Sequence, residues 1–427
     1  MEGLSSRIAE INNSAAQTHT RQFEILAETL EKDGHNIEQL LDKISSFQVA
    51  IPSWALGTGG TRFGRFPGGG EPGSLEEKIQ DVGTLHALNA SSDAISLHIP
   101  WDIPKDTNAI KELAASYNLK FDAVNSNTFQ DQPGQDHSYK FGSLCHSDPA
   151  VRMKAVEHNI EVIKYGKELG SKALTVWLAD GSSFPGQMNF RKAFGNTLDS
   201  LERIYETLPE DWKVLVEYKP FEPYFYSMVI PDWGTSHLLA NKLGEKAFCL
   251  VDLGHHLPNT NIEQIVATLM MEAKLGGFHF NDSKFADDDL TVGSMKPYQL
   301  FLIFNELVEG MEDEKSANPV PAWMIDASHN LKDPLEDLLQ SVEAMKLAYA
   351  QALIIDRDSL EKYRESNDVS MAQEVLQNAY RTDVRPLLAE ARRRSNAAIN
   401  PLDTYRKLQI REQLIQTRGS KTIATGL

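Results

Sequence analysis

Short apolar runs alternate with longer amphipathic stretches between residues 47 and 354 of the chain. The runs have the length and the β-branched content of strands, and they span residues 47–51, 94–99, 121–125, 173–178, 214–218, 248–252, 277–281 and 322–326. Apolar residues at helical spacing follow each run, near residues 74–89, 106–118, 148–169, 188–208, 233–243, 260–274, 296–310 and 333–353. This alternation of strand and helix predicts a (β/α)8 TIM barrel over residues 47–354. A doubly wound open sheet, which usually has fewer strands, is the alternative.

Helical patterns flank the predicted barrel. Residues 1–46 are predicted to form N-terminal helices, and residues 355–418 a C-terminal helical extension with helices near 358–366, 369–379, 383–396 and 402–416. We expect this extension to pack against a neighbouring subunit, the alternative being that it covers its own barrel. Residues 419–427 are predicted to be a flexible tail.

Polar and aromatic residues follow the predicted strands at their carboxyl ends, where barrel enzymes carry their functional groups. These residues are His98, Trp101, Asn125, Asn127, Trp177, Asp180, Glu217, Lys219, Asp252, His255, His279 and Asp326. Their distribution over many strands favours the barrel, because an open sheet binds its ligand at one switch point.

The seventh strand and the loop after it are the most informative stretch. Alternation along the strand places His279 and Asn281 on one face and Phe278 and Phe280 on the other. The loop then carries four aspartates, and its consecutive carboxylates repel one another unless water or a cation separates them. The pattern suits the mouth of a barrel with a cation, and the alternative is a solvated acidic loop. The aspartates are Asp282, Asp287, Asp288 and Asp289.

Strands five to eight bring four candidate metal ligands together if the barrel forms. Three carboxylates and one imidazole suit a divalent ion such as manganese, cobalt, magnesium or zinc. The four residues are Glu217, Asp252, His279 and Asp326. The alternative is pairing with basic side chains, but the sequence offers only Lys219 and Lys284 nearby, too few for so many carboxylates.

A second ion is predicted beside the first. His255, three residues after Asp252, can face it together with Asp287 and Asp289. Glu217 or a water molecule would link the two ions, as in two-metal sites about 4 Å apart.

Lys219 shares a strand face with Glu217, where its ammonium group can stabilise an oxyanion beside a metal ion. An ion pair with Glu217 is the alternative. Tyr218, between them, is predicted to face away from the mouth and to have no role in the chemistry.

Aromatic side chains near the mouth would supply apolar walls for a sugar, although core packing could explain each of them. They are Trp54, Trp101, Trp177 and Phe63. Phe63 lies in the glycine-rich loop 57–70, which lacks a Gly-Lys-Ser/Thr sequence and is therefore no phosphate loop. We predict a lid or an inter-subunit arm, with a plain surface loop as the alternative.

Composition narrows the class of function. The formal net charge of −18 argues against a nucleic-acid partner, and the basic run 392–394 is predicted to face solvent on a helix. Two distant cysteines indicate a reducing compartment. The sequence shows no secretory signal and no apolar run long enough to span a membrane, so we expect a cytoplasmic protein.

Four motifs together resemble the L-rhamnose isomerase family, in its bacterial subgroup with relaxed aldose specificity, over roughly residues 45–410. They are Ser96–Asp102, Val251–His256, Phe278–Lys284 and Met324–Asp326. The resemblance implies a homotetrameric aldose–ketose isomerase with two divalent ions, often manganese, within the xylose-isomerase-like barrels. L-Rhamnose and L-rhamnulose would be its substrates, and D-allose and D-psicose a further pair.

The resemblance also assigns roles to residues. Glu217, Asp252, His279 and Asp326 would hold a structural ion, and His255, Asp287 and Asp289 a catalytic one. Lys219 and Asp326 would lie near the first two sugar carbons, and His98 would contact the sugar and assist ring opening. Phe63 would reach a neighbouring active site.

Three alternatives to an isomerase remain at this point. A ketose 3-epimerase of the same superfamily typically binds one metal ion and flanks the sugar carbon with two glutamates, whereas the fourth strand-end ligand here is Asp326. A metal-dependent endonuclease conflicts with the negative charge. A non-catalytic scaffold leaves the metal ligands unexplained.

Overall fold

The computed structural model describes residues 3–58, 66–184, 186–222, 226–327 and 331–422. Eight parallel strands close into a barrel in chain order, so the predicted fold class is confirmed and the open sheet is excluded. We name them β1 to β8, and they span Ala50–Pro52, Ala94–Ile99, Lys120–Ser126, Ala173–Val176, Lys213–Glu217, Ala247–Asp252, Leu275–Phe280 and Ala322–Ile325. Outside the barrel, the short strand Gly181–Ser182 pairs antiparallel with the short strand Ser227–Met228.

Fifteen helices surround the barrel in the described part of the chain. The first two, α1 and α2, precede it and span Leu4–Lys32 and Ile37–Ser46. Those that follow the strands, α3 to α10, span Leu75–Asn89, Thr107–Ser116, Pro149–Leu169, Phe190–Tyr205, Trp233–Leu243, Ile262–Met271, Pro297–Glu312 and Pro334–Leu353. The extension contains α11 to α15, which span Arg357–Glu365, Val369–Arg381, Arg385–Arg394, Pro401–Lys407 and Ile410–Arg418.

Local sequence explains where several of these helices begin. The side chains of Asp106, Asp148 and Asp333 accept hydrogen bonds from the first backbone N–H groups of α4, α5 and α10. Proline stands in the first turn of α5 and α10, where no N–H is needed. Each helix therefore starts at a fixed residue, which sets the length of the loop that precedes it.

Alternation along β7 separates the two sides of the barrel wall as predicted. Phe278 and Phe280 face outwards and stack on Trp323 and Phe304, with ring centres 5.9 Å and 5.6 Å apart respectively. His279 faces inwards. Small and aliphatic side chains fill the barrel interior below the mouth, and they include Ala50, Ala123, Leu215, Leu250 and Met324. This packed interior gives the polar mouth a rigid floor.

Residues 419–422, the described part of the predicted tail, form hydrogen bonds, and the flexibility of the tail stays a prediction. Residues 419–422 contact the loop after β1, where Gly70 N donates to Gly419 O (2.8 Å) and Glu71 N donates to Thr422 Oγ1 (2.8 Å). A Cβ atom on Gly70 would lie 2.8 Å from Ile415 N, and its φ of 71° also favours glycine. Backbone contact at this point therefore holds the tail, while residues 423–427 lie outside the described part.

The extension packs on its own barrel, because α13 contacts α1, α2 and α10. The basic run on α13 does not face solvent throughout. Arg392 is buried and donates to the carbonyls of Ala398 and Ile399 at 3.1 Å and 2.9 Å. A contact of the extension with a neighbouring subunit stays a prediction.

Among the described helices, none combines the length and the apolar character that crossing a bilayer requires.

Candidate metal centre

The carboxyl ends of β5 to β8 bring the first predicted ligand set together. The Nδ1 atom of His279 lies 3.2 Å from Glu217 Oε1, 3.9 Å from Asp252 Oδ2 and 3.9 Å from Asp326 Oδ2. Asp252 and His279 are direct neighbours in the register of β6 and β7. One imidazole nitrogen thus faces three carboxylates, as the position of these residues at successive strand ends predicts.

A second group forms beside the first. His255 Nε2 lies 3.3 Å from Asp287 Oδ1 and 4.0 Å from Asp252 Oδ2. Ligand atoms of Asp252, His255 and Asp287 lie within 4.8 Å of one another, and so do those of Glu217, Asp252 and His279. Asp252 belongs to both groups. Glu217, which we expected to link them, also lies between the two histidines, with Oε1 3.2 Å from His279 Nδ1 and 3.3 Å from His255 Nδ1.

The orientation of Asp252 is fixed by hydrogen bonds to one of its two oxygen atoms. Oδ1 accepts from Gly254 N (2.7 Å) and from Asn281 Nδ2 (2.9 Å). Oδ2 is buried between the two histidines and has no hydrogen-bond partner among the described residues. Because an isolated buried carboxylate oxygen is costly, this atom suits a cation.

In the first ligand group, burial and the attraction between opposite charges shift the pKa values in opposite directions. Burial alone would raise the pKa of Glu217 and lower that of His279, but their mutual attraction prevails. The pKa of Glu217 is held well below its ordinary range, and the pKa of His279 is raised to about 9. Burial raises the pKa of Asp252, and burial together with the charge of Asp289 raises that of Asp326 to about 7. The mouth thus gathers more negative charge than its protein cations balance, and its oxygen and nitrogen donors fit divalent ions.

The aspartates of the acidic loop after β7 have two kinds of role. Some bind backbone N–H groups of the loop, and others face the candidate metal centre. Asp282 accepts from the backbone N–H groups of Met295 (2.7 Å) and Lys296 (2.9 Å), and Asp288 caps Lys284 N (2.6 Å). Asp287 belongs to the second ligand group. Asp289 is buried with a left-handed φ of 47°, and in the described residues it lies outside both groups of ligand atoms.

Lys219 does not pair with Glu217, the alternative considered above. Its Nζ lies 2.6 Å from Asp287 Oδ2 and also contacts Glu222, which is buried. The same ammonium group lies 5.4 Å from the ring centre of Trp177. Glu222 was not predicted, because it lies in a loop. Its position three residues after Lys219 could have indicated an ion pair between the two side chains. Lys284 is exposed and lies over the ring of Phe285.

Aromatic rings form one wall of the mouth, as predicted. The ring of His98 lies 4.3 Å from Trp101 and 5.4 Å from Trp54, and Trp177 lies 4.8 Å from Phe129, measured between ring centres. Phe129, from the loop after β3, was not predicted and bridges His98 and Trp177. Phe63 lies outside the described residues.

Two members of this wall also have polar roles. Trp54 Nε1 donates to Asp326 Oδ1 at 2.8 Å, which connects the wall to the metal-ligand set. Burial lowers the pKa of His98 to about 3, so its imidazole is neutral near pH 7. A neutral ring can both donate and accept a hydrogen bond.

A buried ion pair supports the wall from behind. Lys78 Nζ on α3 donates to Asp102 Oδ1 at 2.6 Å, and both side chains are at most 1% exposed. Asp102 Oδ2 accepts from Ser53 Oγ (2.5 Å) and from His98 N (2.8 Å). The network thereby joins the segments that carry Trp54, His98 and Trp101.

Comparison with known proteins places the chain in a family. Residues 88–306 match the model of the xylose isomerase-like TIM barrel. A probable sugar isomerase of Rhizobium meliloti (strain 1021) is 53% identical over 417 residues, which cover 97% of this chain and 96% of that protein. Another, of Mesorhizobium japonicum, is 51% identical over 99% of this chain and 98% of that protein.

Solved structures agree with the architecture. L-ribulose 3-epimerase superposes with a TM-score of 0.54 at 13% identity, covering 76% of this chain and 98% of that chain. D-allulose 3-epimerase of Methylomonas sp. has a TM-score of 0.53 at 14% identity, covering 71% and 98% respectively. At such identities these structures show the fold alone. The family match and the two close relatives carry the assignment, and the chain belongs to the xylose isomerase-like TIM barrel family.

Proposed function

We propose that this protein interconverts an aldose and its ketose by moving hydrogen between C1 and C2 at a two-metal site. The observation that carries the proposal is the position of Asp252 Oδ2, buried, without a hydrogen-bond partner in the described residues, and common to both ligand groups. The two close relatives, each named a probable sugar isomerase, support the class of reaction.

L-Rhamnose and L-rhamnulose are the substrate pair that we propose, with D-allose and D-psicose as a further pair. This choice rests on the sequence motifs that resemble the L-rhamnose isomerase family. Manganese as the metal, a homotetramer and the reach of Phe63 into a neighbouring mouth belong to the same proposal.

Side chains of the chain itself would bind and orient the sugar. The apolar faces of Trp54, Trp101 and Trp177 would cover its C–H groups and exclude water. The neutral imidazole of His98 would exchange hydrogen bonds with a ring oxygen or hydroxyl and so favour the open chain. Two bound divalent cations would act as Lewis acids toward the sugar oxygen atoms.

Proton transfer would use side chains at the carboxyl ends of the strands. Asp326, at the end of β8, would accept a proton from the sugar hydroxyl and return it. Lys219 would donate a hydrogen bond to the oxygen that gains negative charge. The hydrogen between C1 and C2 travels as a hydride or through an enediol, and isotope released from C2 into solvent identifies the enediol route.

The test is a panel of aldoses and ketoses offered to chelator-stripped protein with and without Mn²⁺. We expect ketose to form from L-rhamnose fastest, only after metal is restored, and D252N to abolish turnover. If the metal-loaded protein converts no aldose but inverts C3 of a ketose, the isomerase proposal fails and the 3-epimerase replaces it.

A further inference from the structure

Tyr218 was predicted to face away from the mouth and to have no role in the chemistry. It stands directly after β5, between Glu217 and Lys219, and its side chain points away from the mouth and is 1% exposed. The carbonyl of Tyr218 lies beyond the end of the strand.

Two consecutive histidines contact Tyr218, one at its backbone carbonyl and the other at its hydroxyl. His255 Nδ1 donates to the backbone carbonyl of Tyr218 at 3.0 Å. The phenol hydroxyl of Tyr218 and His256 Nε2 are 2.7 Å apart, and both side chains are buried. The rings of Tyr218 and His256 meet edge to face, with centres 5.3 Å apart. The end of β5 is therefore fixed to the turn after β6 by two independent hydrogen bonds.

Two acceptors keep the proton of His255 on Nδ1, because this atom lies 3.0 Å from the carbonyl oxygen of Tyr218 and 3.3 Å from Glu217 Oε1. With Nδ1 protonated and bonded to Tyr218 O, the lone pair of Nε2 is free and faces Asp287 Oδ1 and Asp252 Oδ2. An outer hydrogen bond of this kind fixes the tautomer and ring orientation of a metal ligand, and its loss typically weakens metal binding about 10- to 100-fold.

We propose that Tyr218 and His256 form a positioning unit for the metal-binding nitrogen of His255. The phenol–imidazole bond behind the barrel wall holds the carbonyl of Tyr218 where the ring of His255 needs its acceptor. The unit acts directly on the group of Asp252, His255 and Asp287, and only indirectly on the group around His279, which shares Asp252 and includes Glu217. The proposal rests on the two-metal site of the proposed function, but not on the identity of the sugar.

The direct test is Mn²⁺ binding to chelator-stripped Y218F, measured by calorimetry without any sugar. D287N, which lacks a ligand of the second group, identifies the binding event that belongs to that group. We expect Y218F to weaken this same event about 10-fold and to weaken the other event less, because the group around His279 feels His255 only through Asp252 and Glu217. A pair of variants at the partner residue repeats the test, since H256Q keeps an acceptor for the hydroxyl and H256L removes it. H256Q should bind Mn²⁺ more tightly than H256L.

Y405F is the matched control. Tyr405 on α14 of the C-terminal extension is also buried, and its hydroxyl donates to Asp333 Oδ2 at the start of α10 (2.8 Å). The Y405F variant should lower the thermal midpoint, as Y218F does, but should change neither of the two Mn²⁺ affinities. Wild-type Mn²⁺ affinities in both Y218F and H256L would overturn the proposal and leave Tyr218 a packing residue. Failure of the isomerase proposal gives a different result: wild-type protein would bind two ions but would not convert any aldose.

Discussion

Lys219 reaches across the mouth of the barrel to Asp287, with 2.6 Å between its Nζ and Oδ2. Asp287 in turn presents its other oxygen, Oδ1, to His255 Nε2 at 3.3 Å. Among the described residues, Lys219 is the one buried lysine of the mouth. It therefore contacts the second ligand group rather than Glu217. In the proposed mechanism, a sugar oxygen would bind at this second group, within reach of the Lys219 ammonium group.

Replacement of Lys219 therefore tests the catalytic role given to it. We expect K219M to lower kcat for aldose isomerisation about 100-fold or more, because a preorganised donor to the developing oxyanion is lost. Steady-state kinetics with L-rhamnose measure this, with K172M as a control on the exposed ion pair of Lys172 and Asp211. A K219M enzyme with wild-type kcat would remove Lys219 from the mechanism.

The buried pair of Lys78 and Asp102 offers a test of the aromatic wall. K78M leaves a buried carboxylate without its cation, which we expect to cost about 3–5 kcal/mol of unfolding free energy in denaturant titrations. In K78M/D102N, a neutral amide oxygen can still accept from Ser53 and His98 N, so much of the stability should return. We expect KM for the sugar to be raised in K78M and restored in the double variant. A double variant as unstable as K78M would show that the charge pair itself is required.

Glu390 connects the N-terminal helix to the extension and makes stability depend on pH. Hydrogen bonds from Arg393, and further from Arg394 and His19, lower its pKa from the ordinary 4.5 to about 2. A carboxylate with a lowered pKa stabilises the folded state above its unfolded pKa, and this contribution disappears as the pH falls from about 4.5 to about 2. E390Q should therefore cost about 2 kcal/mol at pH 7 and much less near pH 2.5.

Urea unfolding of wild type and E390Q at the two pH values measures this difference. E374Q is a suitable control, because Glu374 forms an exposed pair with Arg381 on α12. An E390Q effect of the same size at both pH values would mean that the side chain acts through packing rather than charge.

Metal removal should destabilise the barrel itself. Without cations, the buried carboxylate of Asp252 and the half-buried carboxylate of Asp326 repel each other, and both are repelled by Asp289. We therefore expect a chelator to lower the thermal midpoint at pH 7.5 by several degrees and Mn²⁺ to restore it, as mass action requires of any ligand of the folded state. In H279Q the Mn²⁺-dependent shift should be much smaller. Equal midpoints with chelator and with Mn²⁺ would argue against a metal site of useful affinity.

The sequence alone was sufficient for the barrel and for the approximate location of the site. Eight apolar runs with intervening helical spacing leave few other topologies. Residues at the carboxyl ends of successive strands must meet at one mouth, which is why Glu217, Asp252, His255 and His279 could be placed together.

Other features depend on side-chain directions and loop closure, which no local pattern contains. The sharing of Asp252 follows from the bonds that Gly254 and Asn281 make to its Oδ1. Phe129 and Glu222 reach the mouth from loops whose path is set by the surrounding structure. Arg392 is buried because backbone carbonyls of the following turn accept its guanidinium protons, although the basic run containing it indicated a solvated face.

The count of Mn²⁺ ions per chain tests the two-metal site most directly, by calorimetry on chelator-stripped wild type, D287N and D252N. Because Asp252 lies in both ligand groups, we expect two ions in wild type, one in D287N with its affinity retained, and weakened binding of both in D252N. A single ion in wild type, or D252N that binds two ions as wild type does, would contradict the shared site on which the proposed function depends.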